Sequence, residues 1–195
     1  MSSTLFDDDS ALEDFPGLLA VAQFARMMPE VAWFSDLGLP LNEADVDLAQ
    51  DYLSALGFPD CDVALIEDWE TAMDAVSSTD LNSDWWEAEE QQRAFLMSEA
   101  CQQADEESVL LALTHVTSKA AEGVQQAAEM AANQAALYED EIVNAIAGAA
   151  LQAVHQAALV LAADLEDEHP FALKYRLFER GRWPLGISGR TLNLF

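Results

Sequence analysis

The chain has 195 residues, 51% of them hydrophobic, and carries 8 basic against 36 acidic side chains, a formal net charge of −28. That length can bury one substantial core, and apolar residues spread along the whole chain exclude a disordered acidic tail. So strong an acidic excess also excludes nucleic acid as a ligand for the body of the protein.

Taken in chain order, residues 1–13 combine small polar side chains with the run Asp7 to Asp9, and are expected to be a disordered acidic terminus. The opening MSSTLFDDDSALEDF has neither the basic region nor the apolar run of a secretory signal, so the expected location is the cytoplasm. Pro16 opens a first helix carrying Leu18, Leu19, Ala22, Ala25 and Met28, and Pro29 must kink or restart it. Asn42 is the N-cap of a second helix that Gly57 stops. A third helix is expected over residues 62–76, with Leu65, Ile66, Trp69 and Met73 on one side, followed by a loop, SSTDLNS.

Ser83 or Asp84 caps a fourth helix through Trp85, Trp86, Phe95 and Leu96. The acidic group Asp105 to Glu107 starts a long fifth helix toward Leu137, with a bend expected at Gly123. Residues 142–163 contain no charged side chain, and a helix apolar on every side either spans a membrane or lies at the centre of a bundle. Asn144, Gln152, His155 and Gln156 inside the run, the acidic flanks and the weak hydropathy of alanine favour the central helix over a membrane span. After His169 and Pro170, FALKYRLFERG predicts a short amphipathic helix, and the residues from Thr191 alternate as an extended segment does.

The fold expected is therefore all-α: a single-domain bundle of six to seven helices over residues 14–170, with a long apolar central helix. A basic C-terminal helix and extended tail, residues 171–195, would be packed on the bundle or swapped between bundles. The tail is distinct because residues 1–170 hold only Arg26, Arg93 and Lys119 and carry a net −32, whereas residues 171–195 carry +4. Folding back onto the acidic body needs no second molecule and is the favoured reading. The overall acidity also suits a protein adapted to high salt.

FARMMPEVAWF, residues 24–34, places Arg26, Met27, Pro29, Ala32 and Phe34 at a spacing that resembles the first helix of the YjaG-like family of domains of unknown function. Val116, Ser118, Lys119 and Val124 are similar to a second segment of that family, and Asp80 and Asp84 fall where it has paired aspartates. The family's Tyr-Pro-Ala-Asp-Ala-Cys stretch is replaced by WWEAEEQQRAF. The resemblance implies an all-helical bundle of bacterial cytoplasmic origin and implies no activity.

Motifs of chemistry are sparse. Cys61 and Cys101 lack metal-ligand spacing, and Glu166 with His169 supplies one Glu-x-x-His where a di-iron bundle needs two, so no metal or cofactor is expected. No nucleophile elbow or phosphate loop occurs, and no catalytic residue is assigned. His155, Gln152 and Asn144 are the candidate ligand-binding group, since polar side chains inside an apolar helix must be satisfied by one another or by a ligand. Trp85 and Trp86 are adjacent, so both cannot face inward, and one marks a surface. Trp86 with Arg176, Arg180, Arg182 and Trp183 of the tail forms the candidate interaction group, its partner a second copy of the chain or another protein. The functional expectation is a non-enzymatic interaction or regulatory module, the alternative a small-molecule-binding protein or enzyme around His155.

Overall fold

A computed structural model describes residues 6, 9–77, 83–137, 140–165 and 167–195. Helix α1 (Pro16–Met27) begins on its proline and gives way to a 3-10 turn, Met28–Glu30, where Pro29 can no longer donate. Asn42 caps α2 (Glu43–Leu56) with a reciprocal bond: its side chain accepts from the Asp45 amide at 2.9 Å while Asp45 accepts from the Asn42 amide at 3.4 Å. Gly57, at φ 101°, closes that helix in the left-handed conformation. Strand β1 (Asp62–Leu65) leads to α3 (Trp69–Ser77). Ser83 caps α4 (Asp84–Gln103), and Asp105 caps α5 (Glu106–Gln134), which runs unbroken through Gly123. Helices α6 (Asp140–Ala162) and α7 (Pro170–Glu179) follow, and strands β2 (Pro184–Ser188) and β3 (Thr191–Leu194) end the chain.

Seven α-helices among the described residues make the fold helix-dominated, as expected, with one small sheet added. The expected helix over residues 62–76 is corrected at its first half. Residues 62–65 are extended because β1 pairs in parallel with β3, Val63 opposite Leu192 and Leu65 opposite Leu194. The helix waits for Asp68, whose carboxylate accepts from the Thr71 amide and hydroxyl at 2.9 Å each. The tail forms a hairpin turning at Gly189 and Arg190, and β3 lies between β1 and β2. The terminus is also more ordered than expected: Asp9–Leu12 form a 3-10 turn, Leu12 is buried, and Phe6 is buried with its ring stacked 5.2 Å from His115. Residues 1–5 and 7–8 of that expectation, most of the SSTDLNS loop and the likeness at Asp80 lie outside the described residues.

Helix α6 is the spine. It packs on α5, α7, α1 and α4, and of its most apolar 18 residues 61% are buried inside the molecule. Close approach is possible because one helix meets another over alanine: a Cβ on Gly17 at the start of α1 would lie 2.6 Å from the Ala162 carbonyl oxygen. Helix α7 is buried on two sides. Phe171, Tyr175 and Phe178 join the main core, whereas Leu173 and Leu177 join a second cluster with Tyr52, Leu53, Trp85, Leu192 and Leu194. The tail is thus core on both flanks, and at roughly 1.5–3 kcal/mol per buried large apolar side chain it is integral to stability.

Candidate functional site

The root of the tail is pinned by one arginine. Gly181 has φ 75°, and a Cβ there would lie 2.3 Å from the Ser35 hydroxyl, so only glycine lets the 34–40 loop close over this point. Arg182 is 1% exposed and uses all five of its N–H donors. Nη1 donates to the Asp36 and Leu39 carbonyls at 2.6 Å each, and Nη2 to the Pro40 carbonyl and Asp45 Oδ2 at 2.9 Å each. Nε donates to the same Asp45 oxygen at 3.1 Å, and Arg180 Nε lies 3.3 Å from Asp45 Oδ1.

A second charged cluster surrounds Glu89, which is fully buried on the inward stripe of α4 with Trp85, Leu96 and Ala100. Its Oε1 accepts from Lys174 Nζ at 2.7 Å and from the Tyr52 hydroxyl at 2.9 Å. Its Oε2 accepts from Gln156 Nε2 at 3.2 Å and Arg93 Nη1 at 3.4 Å. Trp85 Nε1 donates to the Tyr52 oxygen at 3.0 Å. Burial pushes the Glu89 carboxyl up, but the Lys174 charge and the donated hydrogen bonds outweigh it and hold the pKa below its usual value. Burial and the neighbouring Glu89 charge push the Tyr52 hydroxyl up. All four lone-pair directions of Glu89 are taken, so this carboxylate has no capacity left for a proton relay or a metal.

The sequence candidates are placed as follows. Arg182 and Trp183 lie inside the chain, Trp183 with its backbone paired to Phe195 in both directions at 2.7 and 2.9 Å. Arg176 pairs with Asp167 at 3.1 Å and Arg180 with Asp45, so the tail's charge is spent on its own body. Trp85 turns inward and Trp86 outward, half-buried under the Arg93 guanidinium at 5.2 Å from its ring. Asn144 and Gln152, expected beside His155 within the apolar helix, are instead exposed. Residues spaced by four drift about 40° per step around a helix, so the stripe 144, 148, 152 faces solvent while Gln156 has rotated fully inward. His155 is half-buried, and burial together with the Arg93 charge lowers its pKa.

His169 is an N-cap: its Nδ1 accepts from the Phe171 amide at 3.1 Å, and its Nε2 lies 3.1 Å from Gln92 Oε1. The acceptor role of Nδ1 puts the proton on Nε2, and burial lowers the pKa to about 4. Glu166, its expected companion, is outside the described residues. Among the described residues no three His, Cys, Asp or Glu side chains gather as a metal site would need.

One cavity among the helices meets a buried polar group that is not satisfied. It is a half-open pocket of about 220 Å³ between α1, α6 and α7, with Phe24, Ala157 and Val160 as apolar walls and the buried Tyr175, the exposed Glu179 and Arg176 as polar ones. Tyr175 is 5% exposed, its ring edge-on to Phe24 at 4.9 Å, and its hydroxyl has no hydrogen bond of sound geometry. Glu179, one helical turn on, pushes the hydroxyl's pKa further above its burial-raised value by its charge and by a contact that falls short of a well-formed hydrogen bond. Burial raises the pKa of Glu179 itself, the contact from the Tyr175 hydroxyl and then the Arg176 charge oppose that rise, and Asp167 adds to it. Glu89 was detectable in sequence from its helical spacing to Trp85 and Leu96; no local signal joins Phe24, Ala157 and Tyr175 across 150 residues of chain.

Comparison of the chain with protein-family models, curated proteins and solved structures finds no match. Function therefore has to be argued from the geometry.

Proposed function

We propose that the protein is a non-enzymatic interaction module that presents an anionic helical surface to a basic, amphipathic helix of a partner protein. The observation that carries this reading is where the cations go. Of the 8 basic side chains, Arg26 pairs with Asp9, Arg93 with Glu89 and Glu90, Lys174 with Glu89, Arg176 with Asp167, and Arg180 and Arg182 with Asp45, while Arg190 donates to the Asp60 carbonyl. With seven of the eight cations turned to internal use, Lys119 being the exception among the described residues, the excess carboxylates dominate the outer face and create a field that attracts cations.

Apolar contact is offered in the same field. Leu110 and Leu111 are 45% and 38% exposed on α5, in a shallow hollow shared with Glu106, Glu107 and Thr114, and Phe95 is 51% exposed on α4. Apolar anchors with a carboxylate rim suit an amphipathic helix with lysine or arginine on its flanks. A second copy of this chain fits less well, because two bodies of −28 repel at low ionic strength.

The test is titration of the full chain with a Leu/Lys amphipathic helical peptide and with a scrambled peptide of the same composition, at moderate salt. The amphipathic peptide should bind about tenfold more tightly, and Leu110→Asp with Leu111→Asp should remove that advantage. Equal binding of both peptides, vanishing together as salt rises, would leave only diffuse ion attraction. Salt adaptation would then be the better account, checked by a rise in thermal stability with salt at constant oligomeric state.

A further inference from the structure

We propose that the cavity between α1, α6 and α7 is a binding site for a small aromatic amine, whose ring would occupy the space bounded by Phe24, Ala157 and Val160 and whose ammonium would bond to Tyr175 and Glu179. The proposal is independent of the docking surface on α4 and α5.

Size argues for a single ring. The cavity's volume of about 220 Å³ exceeds the roughly 150 Å³ of an apolar cavity that takes benzene, leaving space for a short side arm. Chemistry of the wall argues for the arm's polarity. The Tyr175 hydroxyl is buried with two lone pairs and a proton and no sound hydrogen bond, a state that a ligand donor would relieve. Charge argues for a cation over an anion: Arg176 is engaged by Asp167 at 3.1 Å, and Glu179 is left as the carboxylate without a dedicated ion pair at the cavity. Burial is the main cause of its raised pKa, Tyr175 and Arg176 offset that only in part, and a bound ammonium would lower it. Met27, 55% exposed, also lines the cavity and supplies an adaptable wall for an aromatic ring.

The three isosteric probes phenethylamine, 2-phenylethanol and phenylacetate separate these arguments on the full chain by calorimetry. Phenethylamine should bind saturably, about tenfold more tightly than the alcohol, with phenylacetate weakest. Glu179→Gln should erase the preference for the amine, and Tyr175→Phe should weaken all hydrogen-bonding probes. In mildly acidic buffers of different ionisation heat, amine binding should release protons as Glu179 is drawn to its ionised form. Ala157→Leu, a cavity-filling change, should abolish binding of all three while the chain keeps its helical circular dichroism. The proposal is overturned by phenylacetate binding as tightly as the amine, or by unchanged amine binding in a folded Glu179→Gln or Ala157→Leu protein. Absence of saturable heat for every probe up to about 10 mM would overturn it equally.

Discussion

The polar interior divides into two kinds of region. Around Asp45 and Glu89, the central charges are well met by partners: Arg182 spends five donors on three carbonyls and one carboxylate oxygen, and Glu89 accepts four bonds. Around Tyr175, a polar atom equally removed from water has no sound bond and borders empty space. A saturated cluster holds elements together and has nothing to give a ligand, whereas an unsaturated one is a vacancy of bonding capacity. Substitutions should therefore be costly in the first region and nearly free in the second.

The largest effect is expected from removing the tail. A chain ending at Pro170 loses Phe171, Tyr175, Leu177, Phe178, Trp183, Leu192 and Leu194, all buried, together with the partners of Asp45 and β1. It should lack a cooperative thermal transition and bind a hydrophobic dye, and a cooperative monomer of that length would refute the reading of the tail as core. Next comes Arg182→Leu. It leaves Asp45 with Arg180 as its remaining cation and takes a donor from the carbonyls of Asp36, Leu39 and Pro40, and breaking a buried pair from one side costs about 3–5 kcal/mol, measured by urea unfolding. Lys174 and Arg93, the charges facing Glu89, keep side-chain exposures of 11% and 19% and can recover some hydration. Glu89→Gln should accordingly cost less, about 2–3 kcal/mol. Because the Glu89 pKa is depressed by folding, its contribution is present above the ordinary carboxyl value of 4.5 and is lost as pH falls through the folded value. The variant should therefore lose part of the wild-type decline in stability at the acid end.

The saturated region was partly legible in the amino-acid sequence and the vacant one was not, for a physical reason. Caps act over three or four residues, so Asn42, Gly57, Ser83 and Asp105 announced their helices. The 3.6-residue period likewise separates Trp85 from Trp86. Strand β1 escaped notice because four residues carry too little periodicity and its partner starts at Thr191, more than a hundred positions away. Until that partner is known, VALI reads equally well as a turn of helix. The fate of the basic tail was legible as a tendency to fold back, but only Gly181's fit against Ser35 and the carbonyls of the 34–40 loop show where it docks. Asn144 and Gln152 were misplaced because an alanine-rich helix has no strong apolar stripe to orient it.

His169 tests the boundary between the regions at intermediate cost. Its Nδ1 must stay unprotonated to cap α7, and its pKa falls to about 4 on folding from an ordinary 6.5. The neutral form is thus favoured in the fold. This contribution is complete above pH 6.5 and is lost as pH falls from 6.5 toward 4, a window that lies above most of the Glu89 effect. Since the ring is only partly buried, about 1–2 kcal/mol is expected across that window. His169→Asn retains a capping oxygen without a titratable ring, and its stability should be flat between those limits. A wild-type slope persisting in that variant would place the titration elsewhere.

Tyr175→Phe should have the smallest effect and bears most directly on the contrast. The ring remains against Phe24 and Trp33, at centroid distances of 4.9 and 6.1 Å, so packing is conserved. What disappears is a hydroxyl that was desolvated on folding without a compensating bond, and removing such a group changes stability by about −0.5 to +0.5 kcal/mol, with gain as readily as loss. The same substitution at Tyr52, whose hydroxyl accepts from Trp85 and donates to Glu89, should cost about 1.5–3 kcal/mol, because two buried partners lose a bond at once. The pair of variants thus compares one chemical change in the two regions by the same unfolding measurement. A loss above about 1 kcal/mol in Tyr175→Phe would mean that the hydroxyl is bonded in solution, by water or by Glu179. The cavity would then belong with the saturated clusters, and its standing as a ligand site would fall with that result.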